Sequence, residues 1–162
     1  MLAISGLFSI NRKSVCLIIS SPSCDHAGFE GKEAVKQTLD ALGVAYDDLG
    51  TNSLDSVDYP DYAVKVAKAV AAGEYDKGIL VCGSGIGMEI AANKVHGIRA
   101  ALAWNEETAR LARTHNDANI ITVGERTTPA ETIQNIIRIF LTTDFAGGRH
   151  QRRVEKIAQL ES

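Results

Sequence analysis

Cysteine is scarce in this 162-residue chain, with Cys16, Cys24 and Cys82 as the whole complement. Their number and spacing give neither a disulfide framework nor a metal-ligand pattern, so a reducing compartment, the cytoplasm, is the expected setting. Charge of one sign is also lacking. The formal net charge is -3, no long basic run occurs, and nothing in the balance calls for a nucleic-acid partner. No apolar stretch approaches membrane-spanning length, so no membrane partner is expected. Internal repeats and low-complexity segments are missing too. What remains is ordinary for a globular protein: 45% hydrophobic and 23% charged residues, enough for one domain with a real core.

Residues 1–14 read as an N-terminal extension or alternative start, and residues 15–162 as a single domain. The extension lacks acidic residues and carries Ser5, Ser9, Arg12 and Lys13. A secretory signal would place positive charge before its apolar part, and here it comes after. Beyond it, apolar runs of strand length alternate with helical periodicity. Strands are expected at 15–20, from Val44, at 79–81, 98–103 and 120–123. Helices are expected at 28–42, from Asp58-Tyr59-Pro60 to Gly73, after the glycines at 83–87, and at 106–114, 129–141 and 151–160. Strict alternation of this kind predicts a doubly wound α/β fold, a five-stranded parallel sheet with helices on both faces, Rossmann-like with a flavodoxin-like strand order. Ligands bind such sheets at the strand C-terminal ends. That rule selects the loops at 24–28, 50–59, 82–87 and 123–127.

The most informative of these is Cys82-Gly83-Ser84-Gly85-Ile86-Gly87, which follows the run Gly78-Ile79-Leu80-Val81 and leads into Met88-Glu89-Ile90. Glycines let backbone approach a ligand closely, and the free N–H groups of a helix start attract an anion. A thiol at that mouth stands where its thiolate is favoured. The alternative is a buried structural cysteine, a common fate of free thiols. A dinucleotide fingerprint would need glycine where Met88 stands, and no Gly-Lys-Ser/Thr follows to make a nucleotide P-loop.

Polar residues gather at other points. Asp25-His26 follows the first strand, where Asp25 can equally be a helix N-cap. His115-Asn116 ends a helix rich in alanine and arginine, where a histidine is also favoured by the helix dipole. An imidazole near neutral pH is the commonest general acid or base. His115 lies before a strand, on the far side of the sheet from the loops above, and reaches such a site most easily from a neighbouring subunit. Arg126, Arg149 and Arg153 carry guanidinium forks that match phosphate oxygens, with a solvated basic face as the plainer reading. Arg149 and Arg153 share a face if the last helix begins that early. Glu89 lies one turn into its helix, with a side chain free to point away from the loop.

Six segments in this order resemble a known family: Cys24-Asp25-His26-Ala27-Gly28-Phe29, Asp58-Tyr59-Pro60, the stretch from Cys82 to Lys94, Thr114-His115-Asn116-Asp117, Val123-Gly124-Glu125-Arg126, and Gly147-Gly148-Arg149-His150-Gln151-Arg152-Arg153-Val154. From about Val15 onward the chain resembles type B ribose-5-phosphate isomerases, in the family shared with galactose-6-phosphate isomerase subunits. The resemblance implies a metal-free isomerisation of ribose 5-phosphate and ribulose 5-phosphate through an enediolate, with no cofactor. It implies Cys82 as the base that carries the proton between C2 and C1. Ser84 and the N–H groups of Gly83, Ser84, Gly85, Ile86 and Gly87 would hold the enediolate oxygens. His115 would assist ring opening, with Asp25 as its counterpart, and Asn116 would bind sugar oxygens. His26, Arg126, Arg149 and Arg153 would clamp the phosphate. In such families the site is shared between two subunits. That implies a homodimer, which could pair into a tetramer, with His115-Asn116 and Arg126 supplied by the partner.

Two departures accompany the resemblance. Ser21-Pro22-Ser23 intervenes between the first strand and the Asp-His loop. Some relatives lack the cysteine and carry a glutamate where Met88 stands; this chain has the cysteine and no acid at 88, and Glu89, one position off, is not assigned that glutamate's role. The competing functions are an isomerase of another phosphosugar (allose, galactose or erythrose phosphate) and a non-catalytic phosphosugar-binding module. A flavin or dinucleotide protein is disfavoured by the missing fingerprint.

Overall fold

The computed structural model describes residues 15–19, 26–50 and 58–161. The extension at 1–14, Cys24, Asp25 and the Ser21-Pro22-Ser23 segment lie outside the described residues, as does most of the 50–59 loop. The elements run β1 (Val15–Ile19), α1 (His26–Ala41), β2 (Tyr46–Asp48), α2 (Tyr59–Ala71), β3 (Lys77–Cys82), α3 (Ile86–Ala92), β4 (Ala100–Leu102), α4 (Glu106–Asn116), β5 (Ile120–Gly124), α5 (Ala130–Thr142) and α6 (Arg149–Ala158), then a 3-10 turn at Gln159–Glu161. All strand pairs are parallel, and the order is β2-β1-β3-β5-β4.

This is the doubly wound α/β sheet that the alternation predicts. One core layer joins the sheet to Val35 and Leu39 of α1, Ala109 and Ala112 of α4, and Ile133, Ile136, Ile137 and Phe140 of α5. The opposite layer takes Val66, Ala67 and Val70 of α2 with Met88 and Ala92 of α3.

The flavodoxin-like order holds for β2-β1-β3 and departs after it, because β5 and not β4 lies beside β3. Burial explains the exchange. Every residue of β5 is buried, as a central strand requires, whereas β4 has three residues and only its first is buried. The exposed edge of β4 is closed by α3. Asn93 accepts the Ala100 N–H at 2.8 Å and donates to the Ala100 carbonyl at 2.9 Å, and Glu89 Oε1 accepts the Leu102 N–H at 3.3 Å. Side chains one helical turn apart thus pair the groups that a sixth strand would otherwise seek.

Several boundaries move from their expected places, each for a tertiary reason. The last strand pair shortens because the Arg99 N–H goes to Asn119 Oδ1 at 2.9 Å, which leaves Ala100 as the first ladder residue of β4. β2 starts at Tyr46 because the Val44 N–H closes the end of α1 on the Leu39 carbonyl at 3.0 Å. α1 begins at His26, not Gly28, and absorbs glycine in its first turns; a Cβ on buried Gly31 would meet Glu125 Cβ at 3.2 Å. α4 runs on to Asn116, so His115 and Asn116 are helical. It stops where Asp117 turns left-handed at φ 46°. α6 begins at Arg149 rather than Gln151, launched by Gly147 and Gly148, both in the left-handed φ region.

Candidate functional site

The switch point of the sheet lies between β1 and β3, and the loop that leaves β3 there is the Cys82 loop. Cys82 is the last residue of β3 and half-buried, unlike Cys16, which is wholly buried in β1. Burial, with Asp47 nearby, pushes the Cys16 thiol up to about 12. Cys16 is the structural thiol, whereas Cys82, at the end of its strand, stays partly exposed. Its Sγ accepts the Gly85 N–H at 3.1 Å.

The loop holds its shape through contacts that only glycine permits. Gly85 has φ 78°, and a Cβ there would stand 2.5 Å from Leu102 Cδ1 and 2.9 Å from the Val123 carbonyl carbon. A Cβ on Gly87 would meet the Tyr59 hydroxyl at 2.5 Å, so a phenol at the start of α2 covers the start of α3. The segment after β5 ties down the other side: the Glu125 N–H donates to the Cys82 carbonyl at 3.0 Å and the Arg126 N–H to the Gly83 carbonyl at 3.1 Å. The Arg126 side chain then lies over Gly83, with Nε 3.3 Å from where a Cβ would be. Arg126 therefore belongs with the Cys82 loop of its own chain. The expectation that the partner supplies it is corrected, because the β3–β5 register sets Cys82 beside Gly124 and carries the next two residues across the loop.

Two of the five N–H groups expected to face an anion are engaged inside the loop. Gly85 serves Cys82 Sγ, and the Ile86 N–H reaches Ser84 Oγ at 3.4 Å. The Ser84 side chain is exposed at the mouth, ready to turn toward a ligand. Glu89 points elsewhere, into the β4 edge, and takes no part in the loop.

His115 and Asn116 stand at the other end of the sheet. β5 separates the two ends: Ile120 pairs with Gly78 and Gly124 with Cys82, four residue steps or about 13 Å apart. Around His115 the scaffold is a network of side chains. Arg113 donates to Asp117 Oδ1 at 2.8 Å, to the Ala118 carbonyl at 2.7 Å and to the Thr143 carbonyl at 3.2 Å. Arg99 donates to the Asn116 carbonyl at 3.0 Å, the Asp117 carbonyl at 2.9 Å and Asp117 Oδ2 at 3.1 Å. These bonds satisfy the last carbonyls of α4 and hold Asp117 in its turn.

The linker after α5 docks on the same helix end, where the Ala146 N–H donates to the Thr114 carbonyl at 3.1 Å. α6 starts there and sets His150 flat against His115, with ring centroids 4.1 Å apart and an angle of 9°. Arg149 and Arg153, one turn apart and both exposed, flank that contact. His150 was not among the residues singled out from the sequence. The available signal was its spacing from Val154, since these two are the buried residues of α6. His26 opens α1 at the Cys82 end of the sheet, and its side chain lies outside the described part of the structure.

The chain thus carries two separate groups: Cys82, Ser84 and Arg126 at one end, and His115, Asn116, Arg149 and His150 at the other. Residues 22–157 match the family model described as ribose/galactose isomerase. The chain belongs to the ribose/galactose isomerase family. Within that family it is 46% identical to ribose-5-phosphate isomerase B of Escherichia coli over 138 residues, 85% of this chain and 93% of that one. The type B ribose 5-phosphate isomerase of Trypanosoma cruzi has the same fold, with a TM-score of 0.83 and 47% identity over 92% of this chain and 96% of that one. Ribose-5-phosphate isomerase B of Mycoplasma genitalium, whose structure holds bound ribulose-5-phosphate, matches with a TM-score of 0.81 and 41% identity, over 92% of this chain and 97% of that one. Among the described residues, no helix is long and apolar enough to cross a membrane.

Proposed function

We propose that this ribose/galactose isomerase family member interconverts ribose 5-phosphate and ribulose 5-phosphate as a homodimer, and that each site joins the Cys82 loop of one protomer to the His115 end of the other. The observation that carries the reading is the pairing of a half-exposed thiol on a glycine-built loop with a distant imidazole–guanidinium group. A relative with 41% identity binds the ketose product of this reaction.

The chemistry follows from the groups. His115 donates a proton to the ring oxygen, the anomeric hydroxyl gives up its own to solvent water, and the C1–O4 bond breaks to give the aldehyde. Cys82 thiolate takes the C2 proton, and the electron pair passes into the C1–C2 bond and onto O1. The proton then returns from sulfur to C1, while the O2 proton passes to O1 to leave the C2 ketone and the C1 hydroxyl. Donation from the Gly85 N–H steadies sulfur between the two transfers. Ser84 and the Gly83 and Gly87 N–H groups are left for the enediolate oxygens. Arg149 and Arg153, with Arg126 from across the site, suit a phosphate dianion. Held at that remote end, the sugar presents C1 and C2 to the thiol.

A second copy is supported by more than the separation of the two ends. Ile86 and Ile90 form an exposed stripe on α3, and Trp104 is exposed beyond β4. A cavity of about 540 Å³ opens along the β4 edge between Asn93, Arg99, Asn116, Ile157 and Leu160. Apolar faces this close to each group suit burial against an identical chain. The test is a panel of five- and six-carbon aldose phosphates. The reading predicts preference for ribose 5-phosphate; turnover of none of them would refute it, and a six-carbon preference would reassign the substrate.

A further inference from the structure

The sequence gives α6 a strongly basic, exposed start: Arg149, Gln151, Arg152 and Arg153 all face solvent. His150 is the exception, 8% exposed and turned inward. It lies against His115, nearly parallel at 4.1 Å between centroids. The linker leading to it is fastened to α4 through Arg113 on the Thr143 carbonyl and Ala146 on the Thr114 carbonyl. The stack is therefore built from both sides of the linker.

From this geometry we infer that His150 is a positioning residue that fixes the ring plane of His115 with its face and the Arg149 guanidinium with its Nε2. The inference rests on the proposed role of His115 in ring opening. The Arg149 Nε–H points to His150 Nε2 at a long 3.5 Å, which makes that nitrogen the acceptor. A nitrogen that accepts from a guanidinium carries no proton, so this contact favours the neutral ring with its hydrogen on Nδ1. Its surroundings agree. Burial pushes His150 below the usual histidine range, and His115 on α4 and Arg149 and Arg153 on α6 push the same way. A neutral, buried ring is a fixed platform; two charged imidazoles at this distance would repel and part.

The same side chain joins the phosphate end of the ligand to the ring-opening end. Its face meets His115 and its edge meets Arg149. Loss of the ring should therefore disturb proton delivery to the ring oxygen, and loss of the nitrogen alone should disturb the arginine.

Two readouts separate ring opening from the enolisation that follows. Turnover of ribose 5-phosphate requires the furanose to open. Ribulose 5-phosphate is acyclic, because its 5-oxygen is blocked by phosphate, so deuterium wash-in from solvent at its C1 needs only enolisation. His150→Ala is expected to lower kcat on ribose 5-phosphate about ten- to a hundredfold while wash-in stays within about threefold of wild type. His150→Phe keeps a flat ring without the nitrogen. It should recover most of the lost kcat and leave KM raised about five- to tenfold, the cost of one charge-assisted contact.

Equal losses of turnover and wash-in in His150→Ala would overturn the proposal, because the residue would then act only through the fold. So would unchanged turnover, or a His150→Phe enzyme no better than His150→Ala. If wild type neither turns over ribose 5-phosphate nor exchanges ribulose 5-phosphate, the isomerase reading itself falls and takes this proposal with it.

Discussion

The two ends of the sheet are built by different means. At the Cys82 end the backbone sets the shape. Glycines let three strand and helix ends crowd together, and the contacts that hold the loop are N–H groups on sulfur and carbonyls. At the His115 end side chains set the shape, with Arg99 and Arg113 reaching over the last turn of α4 and His150 packed on its imidazole. A backbone-built site is sensitive to any added atom, whereas a side-chain network is sensitive to the loss of one. The contrast suits the chemistry, since an enediolate needs rigid donors and a proton donor to a sugar ring needs an oriented ring.

The sharpest way to break the comparison is at Cys82. Cys82→Ala should lower kcat by about a thousandfold or more with a much smaller effect on the melting temperature, because the change removes a single half-buried sulfur atom at the edge of the core. Activity within tenfold of wild type would place the base elsewhere.

Arg113→Ala probes the other construction. It removes a donor from the Thr143 and Ala118 carbonyls and from Asp117 Oδ1, leaving Asp117 with Arg99 alone. Stability should fall by about 2–4 kcal/mol, and activity should fall more than unfolding alone explains. Denaturant titration alongside steady-state kinetics gives both numbers.

Glu89 provides a smaller test. Its Oε1 acts as an acceptor for an edge N–H, a task glutamine can also perform. Glu89→Gln should retain activity within about twofold, and Glu89→Ala should cost about 1 kcal/mol of stability. A large loss of kcat in Glu89→Gln would give that carboxylate a chemical role.

The mildest test uses pH. Cys16 keeps its proton in the folded state up to about 12, against 9.0 when free. Tyr75, bonded to Asp47, holds its proton to about 12 as well, against 10.0. Both folded values are raised, so this contribution to stability is whole below pH 9 and is lost as pH climbs toward 12. Lys77 is lowered by burial and acts with the opposite sign. Thermal unfolding between pH 8 and 11 should show the decline, and Cys16→Ala should flatten it.

Much of this was legible in the chain. The runs at Val15, Ile79 and Ile120 announce buried parallel strands, and the residues of both site groups stand out by type. The strand order was less legible, because it depends on which short strand can have its edge covered, and the cover comes from Asn93 and Glu89 of a different element. Helix ends were misplaced for the same reason. Nothing local says that Asp117 will be held left-handed by two arginines, one of them eighteen residues away. Arg126 shows the limit most plainly. Its identity suggested a phosphate contact, but which Cys82 it accompanies depends on the β3–β5 register.

The division of the site between two chains is tested most directly by complementation. Cys82→Ala and His115→Ala proteins, each inactive, are mixed and allowed to exchange subunits. If the loop of one protomer meets the helix end of the other, half of the dimers are hybrids with one intact site each, and activity returns to about a quarter of wild type. Arg126→Ala should complement His115→Ala and fail to complement Cys82→Ala, because Arg126 accompanies Cys82. No recovery in the first mixture, with exchange verified by mass spectrometry, would contradict a shared site.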